Sequence, residues 1–193
     1  FDLNQEAGDQ VVNELGSDNA MFVNTDVTSD ASVEAAFEQV IGQFGRVDIC
    51  INCAGVAPAK KVLDRDGNAQ PLADFSKAVT INLVGTFNVA RIAAEKMALN
   101  EAEGEAQERG IIINTASVAA YDGQIGQCAY AASKSGVVGM TLPMARDLAR
   151  TGIRVNTIAP GLIDTPLLAS LPEEARQSLA QSVLNPKRLG QPE

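Results

Sequence analysis

The strongest constraint on the fold is an alternation: short aliphatic runs, each closing on small or polar residues, separated by segments of helical length. Residues 20–26 (AMFVNTD), 47–52 (VDICIN), 110–115 (GIIINT) and 153–159 (IRVNTIA) read as strands, and Phe1-Asp2-Leu3-Asn4 reads as the end of another. Between them, residues 31–44 carry Val33, Ala36, Phe37, Val40, Ile41 and Phe44 at helical spacing, with Thr28, Ser29 or Asp30 as cap and Gly45 as the stop. Residues 72–98 and 130–150 read as further helices, the second ended by Gly152, and residues 165–184 as one or two short ones. The acidic, Gly-containing stretch 100–110 reads as a solvated loop. Strands alternating with helices predict right-handed βαβ units and a doubly wound α/β domain, its parallel sheet covered on both faces. Residues 1–193 are long enough for one such domain with its own core.

Composition narrows the function classes. Aromatic residues make up 4% of the chain and Trp is absent, so the core must be aliphatic, which suits a buried parallel sheet. A net charge of −9 speaks against a nucleic-acid surface, which needs clustered Lys and Arg. No apolar run reaches the roughly 18–20 residues of a membrane span, and no signal-peptide pattern opens the chain. Three cysteines without a secretory context read as reduced thiols, so a cytoplasmic protein is expected, or one of the mitochondrial matrix if the source is eukaryotic. Cys50 and Cys53 form a C-x-x-C, but residues three apart on a strand face opposite ways, against a redox or metal pair. With no His, histidine zinc sites and Ser-His-Asp triads are excluded.

In open parallel sheets, ligands sit beyond the carboxyl ends of the strands. The residues there are Asp2, Asp26, Asn52-Cys53-Ala54-Gly55, Ser117 and Pro160-Gly161. A carboxylate such as Asp2 can accept both ribose hydroxyls of NAD and repels the 2′-phosphate of NADP; it can equally cap the next helix. Gly55 allows backbone to approach a ligand closely. Tyr130 and Lys134, four apart on a helix, share a face, so an ammonium lies near a phenol and favours its ionised form. That arrangement makes a tyrosine usable as acid and base near neutral pH, although Y-x-x-x-K alone also describes a packed surface pair. Ser117 is placed to hydrogen-bond the same substrate oxygen.

Asn52-Cys-Ala-Gly55, Asn82, Ser117, Tyr130-Ala-Ala-Ser-Lys134 and Pro160-Gly161-Leu-Ile-Asp-Thr165, in that order, resemble the signature of the short-chain dehydrogenases/reductases, over essentially the whole chain. The resemblance implies a Rossmann-like fold and an NAD-dependent oxidoreductase. It implies Tyr130 as acid and base, Lys134 on the nicotinamide ribose, Ser117 orienting the carbonyl or hydroxyl, and Asn82 holding a water of a proton relay. Asp26 and Val27 would contact adenine, Asn52 to Gly55 the cofactor, and Ile163 and Thr165 its nicotinamide end. The pyrophosphate loop and first strand of that family would precede Phe1, and its closing strand would follow Glu193, so this chain alone is expected to bind NAD poorly.

The stretches FGRVDICINCAG, GTFNVARIAAEKM and GIIINTASVAAYDGQIGQCAYAASKSG, and the insertion around residues 60–72, are similar to the type 2 3-hydroxyacyl-CoA dehydrogenase group of that family. This implies oxidation of the C3 hydroxyl of 3-hydroxyacyl-CoA in fatty-acid metabolism, with Gln124 and Gln127 on the substrate side, or simply in a polar loop. A homotetramer joined through the two long helices is implied as well. Within the same chemistry the alternatives are a 3-oxoacyl-carrier-protein reductase and a hydroxysteroid dehydrogenase. From another class, the alternative is a non-catalytic scaffold subunit.

Overall fold

The computed structural model describes residues 1–169 and 173–192. Three strands, β1 (Ile49–Asn52), β2 (Gly110–Thr115) and β3 (Ile153–Ile158), form a parallel sheet in the order β1-β2-β3. The register pairs Ile49 with Ile111 and Asn52 with Asn114, then Gly110 with Ile153 and Thr115 with Ile158. All three strands therefore end on one edge, which is where the site lies. The class is the one expected, a Rossmann-like α/β domain with an open parallel sheet.

The helices are α1 (Gln5–Leu15), α2 (Asp30–Phe44), α3 (Leu72–Val79), α4 (Gly85–Met97), α5 (Cys128–Leu148), α6 (Pro166–Ala169) and α7 (Glu173–Ser182). For α2 the cap is Ser29, whose side chain accepts the Ser32 amide, and Gly45 ends the helix in the left-handed conformation at φ 81°. Among the described residues, no helix is long and apolar enough to cross a membrane.

Strand periodicity sends alternate side chains to opposite faces, and here the two faces differ. Cys50, Ile112 and Val155 turn toward α2, α4 and α5, where they join Val33, Phe37, Val89, Met97 and Met144 in one buried aliphatic core. The other set, Ile49, Ile51 and Ile158, is 58–62% exposed. The sequence predicts cover on both faces; in this chain the helix following Asp2, α1, buries none of its own residues and does not shield the second face.

Other differences are local. Residues 20–26 do not form a strand: a single parallel bridge joins Asn24 to Asp2, with the Asp2 amide 3.4 Å from the Val23 carbonyl and the Thr25 amide 3.0 Å from that of Asp2. Helix α1, which the sequence reading left without bounds, is capped by Asn4, which accepts the Ala7 amide. The predicted helix over 72–98 is interrupted by a π turn at Thr80–Val84. The loop at 100–110 closes on an antiparallel bridge between Glu103 and Glu108, and Arg46 and Arg154 pair with those two carboxylates.

Candidate active site

Two cavities adjoin at the C-terminal end of β1: one runs along β1 from Val47 to Gly55, and the other opens beyond the ends of β2 and β3. The first, about 410 Å³, lies between Asp2 and β1 and is lined by Val27, Asn52, Cys53, Ala54 and Gly55. The second, about 520 Å³, is lined by Ser117, Gln124, Gln127, Tyr130, Lys134, Ile163 and Thr165, with Val56, Leu168 and Leu179 among its apolar walls. Cys53 and Gly55 border both, so the cavities form one cleft. Asn82 is fully buried behind it. Asp26 borders neither cavity.

Helix α5 starts at Cys128, which puts Tyr130 and Lys134 in its first two turns. Lys134 is buried, and its Nζ donates to the Thr115 carbonyl at 2.6 Å while standing 5.9 Å from the centre of the Tyr130 ring. Burial lowers the Lys134 ammonium from its ordinary value, and the neighbouring Cys53 sulfur opposes that shift. The end of β2 thus fixes the cation, and the cation faces the phenol. Ser117 caps the 3-10 turn Val118–Ala120 by accepting the Ala119 amide at 3.2 Å. Its oxygen is engaged as an acceptor there, which leaves the O–H to donate into the cleft. Gly136 brings α5 close to the π turn: a Cβ there would stand 2.6 Å from Leu83 Cδ2.

The π turn aims Asn82 inward. Its Oδ1 accepts the Val56 amide at 2.8 Å, and its Nδ2 donates to the Val56 carbonyl at 2.9 Å and to Ser133 Oγ at 3.0 Å. Both donors of the side-chain amide are therefore taken. A π turn carries one extra residue within a helix and often marks a functional site; here it turns an amide to clamp the loop after Gly55.

At the other end of the cleft, Asp2 is exposed and its Oδ1 accepts the Asn4 amide at 2.9 Å. The helix cap is Asn4, not Asp2, so the cap reading of Asp2 does not hold. Asp26 accepts the Thr28 hydroxyl at 2.7 Å and the Thr28 amide at 2.9 Å, which hold its carboxyl below the ordinary value. Asn52 donates to Asn114 Oδ1 at 2.9 Å across the strand ends, so part of its amide serves the sheet rather than the cleft. Cys50 is buried with its thiol pushed up to about 12 by burial, whereas Cys53 is exposed, so the C-x-x-C does not form a pair. Gln127 Oε1 accepts the Gln124 amide at 2.9 Å, fixing the loop before Tyr130.

Sequence reasoning gave no role to Ser133, which bonds both Tyr130 and Asn82. Its position three residues after Tyr130, on the face that carries Lys134, was the available signal. Nor did it single out Leu179 in the cavity wall, or Arg176, whose guanidinium donates to Asp164 at 2.9 Å and so ties α7 to the segment between Ile163 and Thr165. Nothing in a helical stretch of residues 173–182 announces an ion pair twelve residues away.

Residues 1–176 match the model of the family described as short chain dehydrogenase. The chain is 54% identical, over 99% of its length and 74% of the relative's, to the 3-hydroxyacyl-CoA dehydrogenase type-2 of Drosophila melanogaster. It is 52% identical to the human protein of that name, over all of this chain and 73% of the relative's. The crystal structure of 3-hydroxyacyl-CoA dehydrogenase type-2 from Mycobacterium avium superposes with a TM-score of 0.88 at 45% identity, covering 98% of this chain and 72% of that one.

Proposed function

The chain belongs to the short-chain dehydrogenase family, and from that premise we propose that it is an NAD-dependent oxidoreductase acting on the C3 hydroxyl or ketone of 3-hydroxyacyl-CoA. The observation that carries the reading is the convergence of Ser117, Tyr130 and Lys134 on one cavity that Val56, Leu162, Leu168 and Leu179 also line.

The residues present fit a nicotinamide dinucleotide. Asp2 offers a free carboxylate oxygen for ribose hydroxyls, and Gly55 leaves room where a Cβ would stand 3.2 Å from Asn82 Oδ1 and 3.6 Å from Lys134 Nζ. Asp2, Val27 and Asn52 to Gly55 would hold the adenosine side, and Lys134, Ile163 and Thr165 the nicotinamide side. When bound, the nicotinamide supplies the hydride acceptor or donor. The protein supplies the proton path. Ser117 donates its O–H to the C3 oxygen and fixes it, and Tyr130 takes the hydroxyl proton in oxidation or returns it in reduction. Lys134 stands over the Tyr130 ring, 5.9 Å from its centre, with its ammonium beside the phenol. Leu168, Leu179 and Val56 suit an acyl chain, and Gln124 and Gln127 suit its polar end.

The carboxylate of Asp2 favours NAD over NADP by repelling a 2′-phosphate. Phe87 and Leu142, on α4 and α5, are about half exposed, which supports a homotetramer joined through those helices; light scattering on the purified protein tests that.

The central test is Tyr130→Phe, assayed with 3-hydroxybutyryl-CoA and NAD. General acid–base groups contribute about 10²–10⁴-fold, so turnover should fall by that factor. Near-normal turnover by the variant would overturn the proton role. A wild-type protein that binds NAD yet oxidises no secondary alcohol would favour a scaffold instead.

A further inference from the structure

Ser133 stands apart from the residues that face the cleft. It is fully buried, yet its hydroxyl is engaged twice. Oγ donates to the Tyr130 carbonyl at 2.7 Å and accepts from Asn82 Nδ2 at 3.0 Å. Asn82 in turn holds both backbone groups of Val56, the residue that lines the substrate cavity directly after Gly55. One hydroxyl therefore joins three segments that are far apart in sequence: the first turn of α5, the π turn, and the loop after β1.

We infer that Ser133 is a positioning residue of the reaction, holding the Asn82 amide against Val56 and so setting the loop at Gly55–Val56 relative to Tyr130 and Lys134. The inference rests on the dehydrogenase reading above. Its physical basis is that Asn82 is fully buried with both amide hydrogens placed, one on Val56 and one on Ser133. Removing the Ser133 oxygen leaves a buried N–H without an acceptor, and such a group seeks another partner or draws in water. The side chain can recover an acceptor only by rotating, and rotation releases Val56. The Tyr130 carbonyl loses less, because it remains a helical acceptor within α5. The consequence therefore falls on Asn82 and the loop it clamps. At Gly55 that loop passes close to the cation: a Cβ there would lie 3.6 Å from Lys134 Nζ. A loose loop shifts the wall against which substrate and cofactor are aligned.

The experiment compares wild type, Ser133→Ala, Asn82→Ala and the double variant in the intact protein, with 3-hydroxybutyryl-CoA and NAD. Ser133→Ala should lower kcat about tenfold, the size of one buried hydrogen bond, while KM and the NAD dissociation constant move by less than about twofold. In the Asn82→Ala background the same substitution should change kcat by less than about twofold, because its partner is gone. A full kcat in Ser133→Ala, or an equal loss in both backgrounds, overturns the positioning role. Ser133→Cys, which keeps a weak acceptor, should fall between wild type and alanine, and it carries the same comparison if the alanine variant does not fold. The wild-type assay separates the two levels of the argument: no turnover of any secondary alcohol overturns the dehydrogenase reading, whereas turnover that ignores Ser133 overturns only this one.

Discussion

The two ends of the cleft are held in different ways. At the proton-transfer end, Asn82, Ser133 and Lys134 are buried, and protein groups within 2.6–3.0 Å fix their side chains. At the dinucleotide end, Asp2 is exposed and its side chain accepts the Asn4 amide, and Cys53, Ala54 and Gly55 lie on the surface. The buried end suits the chemistry. A proton moves over a fraction of an ångström, so its donors need geometry set in advance by a dry, hydrogen-bonded surround.

The comparison predicts its largest effect at Lys134. Lys134→Met keeps the volume and removes the charge, so a loss of about tenfold to a hundredfold in kcat is expected, the value of a charged hydrogen bond. The pH profile gives a second reading. Burial lowers the Lys134 ammonium from its ordinary value of 10.5, so its charge is lost at a lower pH than that of a free lysine. Wild-type kcat should therefore fall on the alkaline side before pH 10.5, and the Met variant should lack that limb. An unchanged alkaline limb in the variant would assign the limb to another group.

A smaller effect is expected at Asp2. Asp2→Ala should reduce the preference for NAD over NADP, as a ratio of kcat/KM, by about tenfold, with the melting temperature unmoved because the side chain is exposed. Lys134→Met should shift the melting temperature, and that contrast sharpens the distinction between the ends. A preserved ratio in Asp2→Ala, or a wild-type preference for NADPH, would break it.

The proton-transfer end was legible in the sequence because its logic is local and periodic. Tyr130 and Lys134 share a helix face by spacing alone, and β2 and β3 announce themselves as aliphatic runs with sharp ends. The π turn was not legible, since shifting a few backbone bonds by one residue leaves no mark on composition within residues 72–98. The strand expected at residues 20–26 failed for another reason: a strand exists only where a partner pairs with it, and there the pairing reduces to Asp2 with Asn24. Ser133 lay in plain view within Tyr130–Lys134, yet its meaning depends on Asn82, fifty-one residues away, and no spacing encodes that distance.

The smallest effect tests whether the fixed end extends into the substrate wall. Helix α7 brings Leu179 and Ser178 to the cavity, and among the described residues its side-chain hydrogen bond to the rest of the chain is Arg176 to Asp164, at 2.9 Å. Asp164 is itself placed by backbone, its amide donating to the Gly190 carbonyl at 2.8 Å. Both partners of the ion pair are partly exposed, and such pairs contribute about 0.2–1 kcal/mol after screening. Arg176→Met should therefore raise KM for a long-chain 3-hydroxyacyl-CoA by about 1.4-fold to fivefold, since each 1.4 kcal/mol is tenfold. The KM for the four-carbon substrate should change less, because a shorter chain has less apolar surface to set against that wall, and kcat should be unchanged because the proton machinery is anchored elsewhere. The exchanged pair, Asp164→Arg with Arg176→Asp, should recover part of the loss, and raised salt should weaken the wild type toward the Met variant. Equal changes in KM for long and short substrates would place Arg176 outside the chain-binding wall and confine the well-anchored end to α5 and the π turn.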